Sequence, residues 1–208
     1  MRSDDVIGVL RTMCGRMQAE RDRLTELDNA LADGDHGINM ARGFAAVEAK
    51  LSQFEGQDLG TVLKTVGMTI LSAAAGSAGL LFGTIFIRSG GVMAGKMEMT
   101  ADDFLACFNA AVEGVKVRGK AERGEKTMLD AMIPAQEAMA AAAKSGLSAR
   151  EMIAASVKAA WEGVEYTKTI VATKGRASYV GERGLGHQDP GATTFAILLE
   201  CVAEGIAE

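Results

Sequence analysis

The 208-residue chain predicts an all-α fold: an antiparallel bundle of eight helices forming one domain over residues 1–208. Three observations carry that expectation. Apolar residues recur at helical spacing, every three or four positions, through almost the whole chain. No stretch of comparable length alternates polar and apolar residues as a half-buried strand does. The intervals between apolar stripes are mostly short, and short connections make consecutive helices antiparallel neighbours.

Taken in order, Val6, Leu10, Met13, Met17, Leu24 and Leu27 share one stripe and define the first helix. Met40, Phe44, Val47 and Leu51 define the second, and Leu59, Val62, Val66 and Ile70 the third. Residues 80–87 are apolar nearly all round, as in a fully buried helix. The fifth helix follows Thr100-Ala101-Asp102-Asp103, an N-terminal capping signature, and carries Phe104, Phe108, Ala111 and Val115. The sixth has Met128, Met132, Ala135 and Met139, with Pro134 predicting a kink. Ser148-Ala149-Arg150-Glu151 is a capping box ahead of Ile153, Val157, Ala160 and Val164. The last helix opens after Asp189-Pro190-Gly191, with proline in the first helical position it favours, and runs to about Ala203.

Composition narrows the function classes. Hydrophobic residues at 48% with 24% charged residues exclude disorder and a coiled-coil rod. With 22 Lys+Arg against 27 Asp+Glu the chain is acidic, which argues against nucleic acid as a partner, because that affinity comes mostly from neutralising phosphates. Cys14, Cys107 and Cys201 are too widely spaced for a zinc site and read as buried thiols in a reducing cytoplasm. The N-terminus is polar and lacks the apolar core of a signal peptide, which again points to the cytoplasm. Residues 65–87 are uncharged and long enough to span a bilayer. Gly76-Ser77-Ala78-Gly79 interrupts them, however, and no Trp or Tyr marks an interface, so two buried helices joined at a glycine turn, and no membrane partner, are expected. Glycine, 25 residues or about 12%, exceeds the usual level of about 7%.

Antiparallel order makes loop parity informative. The even connections, near 53–58, 95–100 and 144–148, are chemically plain. The odd ones hold Asp28, Asp33, Asp35 and His36; then Gly76-Ser77-Ala78-Gly79; then 118–126 with Arg118, Lys120, Arg123 and Lys126; then 173–191 with Lys174, Arg176, His187 and Asp189. An acid cluster, a glycine turn and two basic loops at one end make the composition of a metal–polyphosphate site. Clustered aspartates repel unless a cation neutralises them, and Mg²⁺ shares carboxylates with substrate phosphates. A calcium loop starting at Asp33 would need glycine where Ile38 stands and glutamate where Phe44 stands, so it is not expected. The alternative is that Asp33 and Asp35 cap the next helix. The glycine turn presents backbone N–H groups to a phosphate or is merely a tight helix–helix turn; it is not a P-loop, since no strand precedes it and the Gly-Lys pair is missing. Arg176 between glycine and alanine suits a phosphate or simply solvent. His36 or His187 as a phosphoryl carrier is a competing class, although neither has a recognisable nucleophile partner.

Asp28, Asp33-Gly34-Asp35-His36-Gly37, Asn39, Arg42-Gly43, Arg118-Gly119-Lys120-Ala121, Lys126-Thr127-Met128, Lys174-Gly175-Arg176-Ala177-Ser178-Tyr179, Gly181-Glu182-Arg183 and Gly186-His187-Gln188-Asp189-Pro190-Gly191-Ala192 together resemble the nucleotide-binding L subunits of dihydroxyacetone kinases. The resemblance spans essentially the whole chain. It implies an eight-helix barrel with the nucleotide, ADP or ATP, at one end, and two Mg²⁺ held by Asp28, Asp33 and Asp35. It implies that His36, Gly37, Ile38 and Asn39, and Ser77 with Ala78 between Gly76 and Gly79, lie against phosphates and ribose. It implies Gly119 and Met128, with Thr127 beside them, on the adenine side, Arg176 on a phosphate, and Asp189, Pro190 and Gly191 beside the nucleotide.

The implied activity is transfer of the γ-phosphoryl group to dihydroxyacetone, or a similar short ketose such as a tetrulose, held on a separate K subunit. Bound ADP is then recharged by a phosphohistidine carrier subunit or exchanged for free ATP, and the resemblance also admits a homodimer. A nucleotide-binding regulator without kinase activity is the non-enzyme alternative. One departure stands out: the family's glycine loop commonly reads Gly-Gly-x-Ser-Gly-Pro, and here Ala78 takes the serine position.

Overall fold

The computed structural model describes residues 1–207. Among these, nine α-helices form: α1 (Ser3–Ala19), α2 (Arg21–Asn29), α3 (His36–Glu48), α4 (Leu59–Ala73), α5 (Gly76–Val92), α6 (Ala101–Gly119), α7 (Leu129–Lys144), α8 (Ala149–Thr167) and α9 (Pro190–Ala207). Short 3-10 turns occupy Leu51–Gln53, Arg176–Tyr179 and Gly181–Gly184, and the one extended pairing is an isolated antiparallel bridge between Arg2 and Glu98. The expected all-α architecture is what forms.

The expected first helix is corrected in one respect. It breaks at Glu20, whose φ of −87° and ψ of 0° open the turn. Helical bonds still run from the Glu20 N–H to the Arg16 carbonyl and from the Leu24 N–H to the Glu20 carbonyl, both at 2.9 Å, so α1 and α2 form one broken rod. The resulting eight rods pack each against the next, and α9 closes the ring against α1.

Inside the ring the stripes read from the sequence meet. Met17, Leu24, Met40, Phe44, Val62, Val66, Ile70, Phe82, Val112, Met132, Met139, Ala160 and Val164 are all buried in one core. Phe44 meets Phe86 edge-on at 6.3 Å between ring centroids, and Phe108 meets Phe195 at 5.8 Å. The three cysteines are buried free thiols, and burial pushes Cys14 up to about 12 and Cys107 and Cys201 up to about 11.

The uncharged stretch 65–87 divides, as expected, into α4 and α5 on either side of Ala74 and Ala75. No helix among the described residues is long and apolar enough to cross a membrane. These two helices touch backbone to backbone. A Cβ on Gly67 would lie 2.6 Å from the Gly83 carbonyl oxygen, and one on Gly83 would lie 2.8 Å from that of Gly67. Pro134 sits inside α7 without ending it. Its missing N–H frees the Asp130 carbonyl, and Gly163 of α8 packs onto that oxygen so closely that a Cβ would stand 2.1 Å away.

Candidate functional site

Alternating direction brings the starts of α3, α5, α7 and α9 to one end of the ring, together with the ends of α2, α4, α6 and α8. Each start carries N–H groups without helical partners and the positive end of a helix dipole, so four of them facing one space favour an anion. The four connections at this end enclose a cavity of about 310 Å³. All four contribute to its wall, with Asp33 and Asp35 from the first, Gly76 and Ser77 from the second, Lys126 and Thr127 from the third and Arg176 and Asp189 from the fourth.

The acid cluster is real in space. Oxygens of Asp28, Asp33 and Asp35 all lie within 4.8 Å of one another. Whether these residues only cap α3 is decided by the hydrogen bonds. Asp35 holds the N-cap position, but its side chain makes no cap bond. Asp28 does that work from the end of α2, its Oδ2 accepting the N–H groups of Asp35 at 2.9 Å and His36 at 3.1 Å. One carboxylate oxygen from each of Asp28, Asp33 and Asp35 makes an all-oxygen donor set of the kind that hard divalent cations take. Arg176 reaches across from the fourth connection and pairs with Asp33.

The glycine turn differs from the other helix starts. Ala75 is the N-cap of α5 and offers no side-chain acceptor, whereas Asp189 caps α9 by accepting the Ala192 N–H at 2.7 Å. At α7 the Thr127 hydroxyl accepts the Leu129 N–H at 3.2 Å, and the buried Asp130 accepts those of Gly124 and Thr127 at 2.5 and 2.8 Å.

Burial governs the electrostatics of this end. It lifts the Asp189 carboxyl up to about 7, against the pull of the Ala192 N–H and with help from Asp130. It pushes His36 down to about 4, opposed by Asp35. The neutral imidazole is fixed by a 2.8 Å bond between Nε2 and the Thr194 hydroxyl and by edge contact with Phe82. Burial likewise lowers Lys126, with Asp189 and Asp130 opposing.

Of the residues singled out from the sequence, Asp28, Asp33, Asp35, His36, Gly76, Ser77, Ala78, Gly119, Thr127, Met128, Arg176, Asp189, Pro190 and Gly191 line the cavity. Gly37, Ile38, Asn39 and Gly79 do not. Gly37 is pressed on the Arg21 carbonyl of α2 and Gly79 on that of Ala74, where a Cβ would come within 2.0 Å of either oxygen. Ile38 turns outward, half exposed, and Asn39 accepts from Arg42 at 2.7 Å. Lys126 was expected at this end but not its burial, and Asp130 and Thr194 escaped sequence reasoning altogether. Lys126 stood in a run of surface-like charges, and nothing local signals that it turns inward. Asp130 carried the one usable signal, an acid three residues after Thr127 at a helix start.

Residues 30–204 match the family model described as the DAK2 domain. The chain is 41% identical over 193 residues to the PEP-dependent dihydroxyacetone kinase, ADP-binding subunit DhaL, of Escherichia coli K12, covering 92% of each. It is 39% identical over 189 residues to the ADP-binding subunit DhaL of PEP-dependent dihydroxyacetone kinase 1 of Listeria innocua, covering 91% of this chain and 89% of that one. The crystal structure of the C. freundii dihydroxyacetone kinase in complex with AMP-PNP and Mg²⁺ shares the fold at a TM-score of 0.73 and 23% identity, over 96% of this chain and 33% of that one. The chain belongs to the DAK2 domain family.

Proposed function

We propose that residues 1–208 act as one nucleotide-binding unit, the ADP-binding subunit of a dihydroxyacetone-type kinase. It transfers the γ-phosphoryl group of ATP to a hydroxyl of dihydroxyacetone, or of a similar short ketose, held on a partner K-type subunit. The ADP left behind is rephosphorylated in place by a phosphohistidine carrier subunit. The ADP-binding DhaL relatives support the nucleotide, and their PEP-dependent kinases support the carrier. One observation carries the reading: the three-carboxylate cluster, with oxygens within 4.8 Å, shares a cavity with the uncapped start of α5.

The donor set fits Mg²⁺. Asp28, Asp33 and Asp35 would hold two ions, and bound Mg²⁺ offsets the charge of the phosphate oxygens. The chain's own groups do the rest by position. The N–H groups at Gly76, Ser77 and Ala78 donate to phosphate oxygens, and Arg176 supplies a planar fork of donors to a phosphate. The apolar wall of Leu81, Val115, Met128 and Leu129 takes the base. Phosphoryl transfer asks for alignment and charge neutralisation more than for a protein nucleophile. His36 is unsuited to carry phosphate, because its ring is buried and its Nε2 is engaged by Thr194.

The test is native mass spectrometry of the purified protein, followed by phosphoryl transfer with a K-type subunit and dihydroxyacetone. Retained ADP with two Mg²⁺, and transfer that requires both subunits, are expected. A protein that takes up no ADP in the presence of MgCl₂ overturns the reading.

A further inference from the structure

Lys126 has φ of +58°, and it and Lys120 are the only non-glycine residues with positive φ among the described residues. That conformation costs on the order of 1 kcal/mol and persists only where the surroundings impose it. Asp130 imposes it here by holding the N–H groups of Gly124 and Thr127 on either side. The consequence is that the lysine side chain turns into the protein instead of into solvent, and the residue is 1% exposed.

Its Nζ donates to the carbonyls of Thr167 at 2.5 Å and His187 at 2.6 Å. Thr167 ends α8, where carbonyls lack helical partners and the helix dipole is negative. His187 belongs to the 168–189 connection that also carries Arg176 and leads into Asp189. The same turn of α8 gathers two more bonds from that connection: the Asp189 N–H to the Thr167 hydroxyl at 2.9 Å, and the Gly186 N–H to the Lys168 carbonyl at 2.8 Å. A buried ammonium is costly to desolvate, and a neutral side chain of equal length would fill the same space more cheaply. The charge therefore answers to something other than packing, and what it holds together is one wall of the cavity.

We propose that Lys126 is a positioning residue: its buried ammonium fastens the 168–189 connection to the end of α8 and so holds Arg176 and Asp189 on the cavity. The ligand consequence rests on the nucleotide reading above; the fastening itself does not.

The test uses the full chain with Lys126→Met, one atom shorter, unbranched and without charge. In ligand-free protein, hydrogen exchange within 168–189 rises by about tenfold or more while α4 and α5 keep their protection, because only the local opening energy changes. An even rise over all helices means that the lysine merely serves the fold, and overturns the proposal. Calorimetry with ADP and MgCl₂ gives the second arm. Lys126→Met weakens binding about tenfold in the wild-type background but by less than about twofold in an Arg176→Ala background, since the two act through one group. Full additivity overturns it. Lys126→Gln, which keeps an N–H donor, is expected to loosen the connection less than methionine does; if neither variant folds, the proposal fails. Wild-type protein that binds no ADP would refute the nucleotide reading alone and leave the exchange result to decide this one.

Discussion

The two ends of the ring are made by the same helices under opposite polar rules. At the end away from the cavity, helix starts are closed by their own side chains. Asp58 accepts the Thr61 N–H at 3.1 Å and the Gly95 N–H at 2.9 Å; Thr100 with Asp103 and Ser148 with Glu151 form reciprocal capping boxes. The carboxyls there are held in the charged form. The Lys96 and Thr100 bonds bring Asp103 down to about 2, the Thr61 hydroxyl lowers Asp58, and the Ser148 hydroxyl lowers Glu151. At the cavity end α5 starts with no side-chain cap, and burial drives Asp189 and His36 toward their neutral forms. One end closes its helix starts with its own side chains; the other leaves the start of α5 uncapped beside three clustered aspartates. An uncapped helix start facing an acid cluster marks the site better than any single motif.

The largest test of that contrast is Asp33→Ala. The side chain is half exposed and supports no helix start, so thermal stability should stay within about 0.5 kcal/mol. Retention of Mg–ADP should fall by at least about 1,000-fold, near 4 kcal/mol, when measured by calorimetry. A variant that melts early but still binds would make this carboxylate structural and erase the distinction.

The pH dependence of stability, measured by urea unfolding in EDTA, comes next. His36 titrates near 6.5 when unfolded and at about 4 when folded. Its contribution is therefore full above pH 6.5 and is lost as pH falls toward 4, about 3 kcal/mol in all. Asp189, raised from 3.8 to about 7, has the reverse sign: its contribution is full below pH 3.8 and is lost as pH rises through 7. His36→Gln should leave a stability that falls with pH between 4 and 7, and Asp189→Asn one that rises. Parallel slopes in the two variants would contradict the assigned burial.

These contrasts also show which parts of the structure were legible in the sequence. The helices were, because each buries a stripe that spacing alone reveals, and loop parity alone gathers Asp33, Ser77, Lys126 and Arg176 at one end. The break at Glu20 was not, since no proline or glycine stands there and the stripe runs on through Leu24. Gly37 and Gly79 looked like ligand-contacting glycines. Glycine permits a close approach to a neighbouring backbone as readily as to a phosphate, and spacing cannot tell the two apart. The burial of Lys126 was hidden for the opposite reason: its inward turn depends on Asp130 bonding to both sides of it, a relation with no trace in local composition.

A smaller effect probes the self-satisfied end. Thr100→Ala removes the hydroxyl that accepts the Asp103 N–H at 3.1 Å. Losing such a cap costs about 1 kcal/mol and lowers the melting temperature by about 2–4 °C in a chain of this size. Calorimetry should find ADP affinity unchanged, because α6 begins at the far end from the cavity. A change in affinity would mean that the two ends are mechanically linked.

The smallest effect is the most discriminating, and it comes from adding a hydroxyl where the far end would lose one. Ala78 is the third residue of α5, half-buried on the cavity wall beside helix N–H groups that no side chain caps. If those groups await phosphate oxygens, Ala78→Ser places one more donor on the same anion. Mg–ADP binding should then tighten about threefold, the low end of a net hydrogen bond, while the free protein melts as before. If the serine oxygen instead turns back to accept from the α5 backbone, the free protein gains stability and binding does not move. The start of α5 would then behave like the starts of α6 and α8, and the difference between the two ends would lie in the aspartates alone.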